Sequence, residues 1–171
     1  MVWRWEVLAK LCKEHGLTSG AEIGVADGRF TRGILSAIPD LHLTAVDYWP
    51  EGYMTWMGTR WSQEQQDANK AAFMRVLAAF HDRIRLIHEP SVQAAKVVDD
   101  ASLDFVFIDA GHSREECAED IAAWFPKVRT GGFVTGHDYN PQKFPGVVAA
   151  VDEAFPDKKL FEDTVWIASK A

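Results

Sequence analysis

Three short segments of this 171-residue chain carry the side chains best suited to chemistry. The first is Glu22-Ile23-Gly24-Val25-Ala26-Asp27-Gly28-Arg29-Phe30-Thr31, which follows an apolar run and opens a helical stretch. Gly24 and Gly28 permit a tight turn and close backbone approach by a ligand, and the helix start beyond them offers N–H groups. The pattern E-x-G-x-x-x-G lacks the third glycine of a dinucleotide fingerprint and the Lys-Ser/Thr of a phosphate-binding loop. Glu22 and Asp27 repel a pyrophosphate but suit a ligand that carries an ammonium group. Asp47 ends a second apolar run, after Ala45-Val46. A carboxylate about 20 residues beyond the glycine turn can accept both hydroxyls of a ribose.

The other two segments are Asp109-Ala110-Gly111-His112 and His137-Asp138. Asp109 follows Leu103 to Ile108, which is apolar except for Asp104. A carboxylate there is costly to bury unless it meets a cation or hydrogen-bond donors. An imidazole, with an ordinary pKa of about 6.5, can take a hydroxyl proton at neutral pH, and His112 is the candidate base. The competing reading makes His112 a helix-start residue that bonds its own loop. Ser113, followed by Glu115 and Glu116, can cap the helix beyond it.

These positions share a structural context. Strands are expected at Ala21 to Val25, Leu41 to Val46, Ile84 to Ile87, Leu103 to Ile108 and from Phe133, with shorter ones at Lys159 to Glu162 and Thr164 to Ala168. Helices are expected between them: Val2 to His15, Phe30 to Ile38, Ser91 to Val98, Arg114 to Phe125 and Gly146 to Phe155. Ser62 and Gln65 predict a capping box for another, running to Phe80. Gly131 and Gly132 are read as a turn before the fifth strand. The alternation predicts an α/β, doubly wound, mostly parallel sheet with right-handed crossovers. In such sheets ligands bind beyond the carboxyl ends of the strands, where the candidate residues stand.

Length predicts one domain, residues 1–171. With 25 acidic against 18 basic residues the net charge is −7, which argues against a duplex nucleic-acid surface. No apolar run approaches the ~20 residues needed to span a bilayer, and no membrane partner is expected. The N-terminus reads as neither signal nor transit peptide, so a cytoplasmic location is expected. Cys12 and Cys117 have no zinc or redox spacing and read as reduced, half-buried thiols. Residues 48–62 are rich in tryptophan and methionine, and Trp49 to Trp61 reads as a lid over a pocket or, alternatively, as a dimer contact or satellite core. Self-association is left open.

The segments AEIGVADGRFT, LTAVDYW, LDFVFIDAGHS and TGGFVTGHDYN resemble the class I S-adenosylmethionine-dependent methyltransferases, over nearly the whole chain. The similarity is greatest to the small-molecule O-methyltransferase branch that includes the macrolide-sugar and catechol O-methyltransferases. The resemblance implies a seven-stranded sheet whose last strand is antiparallel, and S-adenosylmethionine as cofactor. Glu22, Gly24, Ala26, Asp27, Gly28 and Thr31 would hold its methionine part and Asp47 its ribose. Tyr48 and Trp49 would line the ribose or adenine pocket, and Glu89, Pro90 and Ser91 would border adenine. Asp109 would serve both cofactor and catalysis, with His112 as base. On neighbouring strands, Asp109 and Asp138 would face one crevice, where two acids repel unless a proton or metal lies between them. Asp109, His137 and Asp138 could then ligate Mg²⁺ or Mn²⁺, with His137 standing where the family has an acid. The implied acceptor is a hydroxyl of a small molecule or sugar. The alternative is a non-catalytic cofactor-binding or assembly module that retains the fold.

Overall fold

A computed structural model describes residues 2–52 and 60–171. The alternating apolar runs form helices α1 (Arg4–His15), α2 (Arg29–Ala37), α3 (Gln63–Ala79), α4 (Ser91–Ala95), α5 (Arg114–Trp124) and α6 (Pro145–Ala154). They enclose strands β1 (Ser19–Ile23), β2 (His42–Val46), β3 (Ile84–Ile87), β4 (Leu103–Ile108), β5 (Val128–Gly136), β6 (Lys159–Leu160) and β7 (Trp166–Ser169). One sheet holds all seven in the order β3-β2-β1-β4-β5-β7-β6. The first five pair in parallel, and β7 runs antiparallel to both β5 and β6.

The sheet is buried on both faces, as parallel sheets are. Along β4, Phe105 and Phe107 face the layer that contains α1 and α2, with Leu8, Ile34 and Phe73. Val106 and Ile108 face the opposite layer with Trp124, Val134 and Val151. Asp104, the acid within this strand, is paid for at the far edge of the sheet. It accepts N–H bonds from Thr18 (2.7 Å) and Ser19 (2.9 Å) and pairs with Arg129 at 2.7 Å.

Two capping boxes set helix starts. Ser62 and Gln65 exchange hydrogen bonds at the head of α3, and Ser113 and Glu116 do so at α5. Two expectations are corrected. Gly131 and Gly132 lie inside β5, which begins at Val128 and meets β4 across a register irregularity between Leu103 and Phe105. A strand that bends at glycines reads in sequence as a strand that starts after them. Cys12 and Cys117 are fully buried, one in each apolar layer, and burial pushes both thiols up to about 12.

α1 is fastened at its first turn. The Arg4 N–H donates to Asp163 Oδ2 at 2.9 Å, and Asp163 comes from the turn between β6 and β7. Trp5 lies over Gly33 of α2, where an added Cβ would stand 2.5 Å from the indole. Among the described residues no helix is long and apolar enough to cross a membrane.

Candidate functional site

Strand register places the candidate residues in a row. Ile23 is level with Val46 on one side and Ile108 on the other, and Ile108 is level with Gly136. The next residues are Asp47, Gly24, Asp109 and His137, aligned along the carboxyl edge where strand order reverses between β1 and β4. Gly24 has φ 89°, and a Cβ there would meet the Asp109 carbonyl oxygen at 2.4 Å. Only glycine lets the two strand ends approach this closely.

A cavity of about 460 Å³ opens on this edge, within the ~300–1,000 Å³ usual for small-molecule sites. Glu22, Gly24, Ala26, Asp27, Asp47, Tyr48, Glu89, Ser91, Asp109 and His112 all line it. Glu22 is buried and accepts the Thr31 hydroxyl at 2.5 Å. Burial holds its carboxyl well above the usual carboxylate range, against the Thr31 bond and with the negative charge of Asp109 adding to the rise. Asp47 accepts N–H bonds from Ala26 (2.9 Å) and Trp49 (2.8 Å), yet burial still raises its pKa. Among the described residues neither acid makes an ion pair. Two carboxylates that burial makes costly to ionise thus face a cavity that would reward a cationic ligand.

Four residues expected at the cofactor lie outside the lining of this cavity. Thr31 is fully buried, and its hydroxyl is spent on Glu22. Gly28 caps α2 against Phe73 of α3. Pro90 caps α4, outside the cavity lining. Trp49, only 4% exposed, turns inward to Phe73 and donates its indole N–H to the Ala26 carbonyl at 2.8 Å. Its φ of 46° directs the ring away from the surface that Tyr48 occupies. Trp49 therefore buttresses the glycine turn. Residues 53–59, the middle of the expected lid, lie outside the described residues. The ends of that segment are tied by a bond from the Gly52 N–H to the Trp61 carbonyl at 2.9 Å, and Arg60 and Trp61 line the cavity.

At the far rim, Asp138 stands between two imidazoles. Its Oδ2 is 2.8 Å from His112 Nε2, and its Oδ1 is 2.9 Å from His137 Nδ1. The backbone of Asp138 is left-handed, φ 60°, which turns the carboxylate into this gap. His112 also stacks on Phe144 at 4.7 Å. Burial opposes charge on His137, but Asp109 and Asp138 outweigh it and raise the ring's pKa to about 9. Burial likewise opposes ionisation of Asp138, and the bonds from the two imidazoles overcome it, holding that carboxyl below the usual range. The two acids expected to repel thus have one imidazole between them, its Nδ1 3.4 Å from Asp109 and 2.9 Å from Asp138.

Arg4, which the sequence reading did not single out, completes the cluster. Its Nη1 is 3.3 Å from Asp109 Oδ2, 2.8 Å from His137 Nδ1 and 3.2 Å from His137 Nε2. Proximity to both ring nitrogens places the guanidinium over the imidazole rather than on one lone pair. Asp109, His137 and Asp138 offer ligand atoms within 4.8 Å of one another, the spacing of a cation site. Magnesium would demand oxygen ligands at about 2.0–2.1 Å, and the Arg4 guanidinium already contacts two of the three groups. Arg4 thus competes with any ion for Asp109 and His137. A lone arginine near the N-terminus, more than a hundred residues from Asp109, carries no local pattern that announces such a role.

A second unforeseen group lies behind the cavity. Asp120 on α5 is buried and accepts a hydrogen bond from Ser91, whose oxygen accepts the Trp124 indole N–H at 2.9 Å. Burial raises Asp120 to about 6, with Glu116 and Glu119 adding to the rise against the Ser91 bond.

Residues 21–139 match a family model described as a methyltransferase domain. No match was found among curated proteins. Among solved structures, one assigned as a caffeoyl-CoA O-methyltransferase from Staphylococcus aureus superposes with a TM-score of 0.72 at 17% identity, covering 100% of this chain and 85% of that one. The O-methyltransferase NovP gives 0.67 at 18% identity, covering 98% and 79%. The S-adenosylhomocysteine-bound methyltransferase PaMTH1 of Podospora anserina gives 0.68 at 16%, covering 100% and 80%. At such identities the structural likeness speaks for the fold.

Proposed function

We propose that this chain, which belongs to the methyltransferase-domain family, uses S-adenosylmethionine to methylate a hydroxyl of a small molecule or sugar, with His112 as the base. The observation that carries this reading is the His112–Asp138 pair at 2.8 Å, on the rim of the cavity that Glu22, Asp47 and Asp109 line.

The donor set suits the cofactor. Glu22 and Asp109 meet a ligand with ammonium and sulfonium charge, and Asp47 accepts the ribose hydroxyls. Glu89 and Ser91 border the adenine. When bound, S-adenosylmethionine supplies a methyl group activated by a sulfonium, which passes to the acceptor oxygen while the C–S electron pair stays on sulfur. The protein's tasks are to align the acceptor, exclude water and receive one proton. Alignment of reacting groups contributes on the order of 7–11 kcal/mol in favourable cases.

Asp138 governs the proton transfer. Because the carboxylate accepts from His112 at Nε2, that nitrogen carries the ring proton, and Nδ1 becomes the basic nitrogen. Stacking on Phe144 holds the ring plane. The acceptor hydroxyl gives its proton to Nδ1 as its oxygen is methylated, and Asp138 stabilises the imidazolium that results. A small acceptor is favoured because the cavity is modest and lies directly at the strand ends.

Two measurements test this reading. Calorimetric titration with S-adenosylhomocysteine should show one site of micromolar affinity. A panel of hydroxylated small molecules, screened by mass spectrometry with S-adenosylmethionine, should yield an O-methylated product. Absence of any cofactor binding would refute it.

A further inference from the structure

We propose that Arg4 is the resident cation of the acceptor site. It stands in place of a divalent ion at Asp109 and His137 and stabilises the acceptor oxygen as its proton leaves for His112. This rests on the methyl-transfer reading above. Three observations carry it. The Arg4 guanidinium contacts Asp109 Oδ2 at 3.3 Å and both nitrogens of His137, two of the three groups that could hold an ion there. The same side chain lines the cavity, as Asp109 and His112 do. Its position is built rather than incidental: Asp163 holds the Arg4 backbone N–H at 2.9 Å, and Trp5 is seated over Gly33.

The arrangement gives arginine the electrostatic task that a bound metal performs elsewhere. A guanidinium stays charged at any working pH and donates several N–H bonds in a fixed plane. Asp109 anchors one edge of it, leaving further donors to turn toward an oxyanion. Fixed donors aimed where charge develops are among the strongest catalytic devices. Two consequences follow. Turnover needs no divalent ion, and removal of the guanidinium exposes a cluster of two carboxylates and an imidazole that a divalent ion can then occupy.

The test uses the full chain and Mn²⁺, with free ion followed by electron paramagnetic resonance. The wild type should show no saturable site up to millimolar Mn²⁺. Arg4→Met, close in shape but uncharged, should acquire one equivalent, and adding Asp138→Asn should remove it. Once an acceptor is in hand, wild-type turnover should be indifferent to EDTA. Arg4→Met should lose tenfold or more in kcat, and Arg4→Lys should recover part of that loss. Affinity for S-adenosylhomocysteine should stay within about threefold in both variants. A stoichiometric Mn²⁺ site in the wild type that Asp138→Asn abolishes, or turnover that EDTA stops, would overturn the proposal. Those two measurements decide even if Arg4→Met fails to fold. Failure of the wild type to bind S-adenosylhomocysteine is a separate result, which strikes the function reading and not the role of Arg4.

Discussion

His112 Nε2 and Asp138 Oδ2 lie 2.8 Å apart, a hydrogen bond that joins the loop after β4 to the end of β5. The contact spans 26 residues of sequence and sets which imidazole nitrogen is basic. Asp138→Asn keeps an oxygen that can accept from Nε2 but loses the charge that stabilises the imidazolium. Turnover should fall roughly tenfold to a hundredfold, at the low end of what general base catalysis contributes. Steady-state kinetics beside calorimetry should show the loss in kcat, with cofactor affinity held. A loss confined to cofactor affinity would make the pair a structural tie.

Asp47 is expected to bind the ribose. Asp47→Asn preserves one acceptor oxygen for the Ala26 or Trp49 N–H, so the turn should survive. Affinity for S-adenosylhomocysteine should drop by about 1.5–3 kcal/mol, the scale of hydrogen bonds to a charged group. Calorimetry with a parallel melting curve checks it. Unchanged affinity would remove Asp47 from the site.

Gly24→Ala should damage both stability and binding. The new Cβ meets the Asp109 carbonyl oxygen at 2.4 Å, on a backbone of φ 89°. Strain of that kind costs of order 1–3 kcal/mol, and relief requires β1 and β4 to part at the cofactor edge. Denaturant unfolding should show the loss, and S-adenosylhomocysteine binding should weaken with it. A variant as stable as the wild type would show that these strand ends do not need the close approach.

Asp120 gives a pH signature. Burial raises its folded pKa to about 6, above the ordinary carboxyl value of 3.8. A raised pKa means that the group favours folding when protonated. Its contribution is fully present below the unfolded value and is lost as pH rises through about 6. Asp120→Asn, which keeps an acceptor for Ser91, avoids that loss. Its stability relative to the wild type should improve by up to about 3 kcal/mol between about pH 4 and pH 8, a shift of roughly two pKa units. Urea unfolding at the two pH values checks this. A pH-independent difference would mean that Asp120 ionises freely in the fold.

Much of this architecture was legible because it is written in short-range pattern. Apolar runs ending at Val46 and Ile108 located the strands, and the residues following them supplied Asp47, Asp109 and His112 without any knowledge of register. The capping boxes at Ser62 and Ser113 fixed helix starts in the same local way. What escaped depends on which way a side chain turns or on contacts across the whole chain. Trp49 looked like a pocket residue because it follows Asp47 and Tyr48, but its left-handed backbone sends the ring into the core. Thr31 sits one helical turn past the glycine loop, and only the fold shows its hydroxyl committed to Glu22. Arg4 and Asp163 meet across 159 residues, and no spacing rule connects them. The Gly131-Gly132 pair misled because glycine marks bends within strands as well as turns between them.

The central claim is hydroxyl methylation with His112 as base, and one experiment addresses it most directly. The full chain is incubated with S-adenosylmethionine carrying a ¹³C-labelled methyl group and with a hydroxylated acceptor found in the screen, and the product is followed by NMR for wild type and His112→Ala. The labelled methyl should appear on oxygen with the wild type. His112→Ala should lose roughly 10²–10⁴-fold in turnover while binding S-adenosylhomocysteine normally. A labelled methyl on nitrogen or carbon, or undiminished turnover in His112→Ala, would contradict the account.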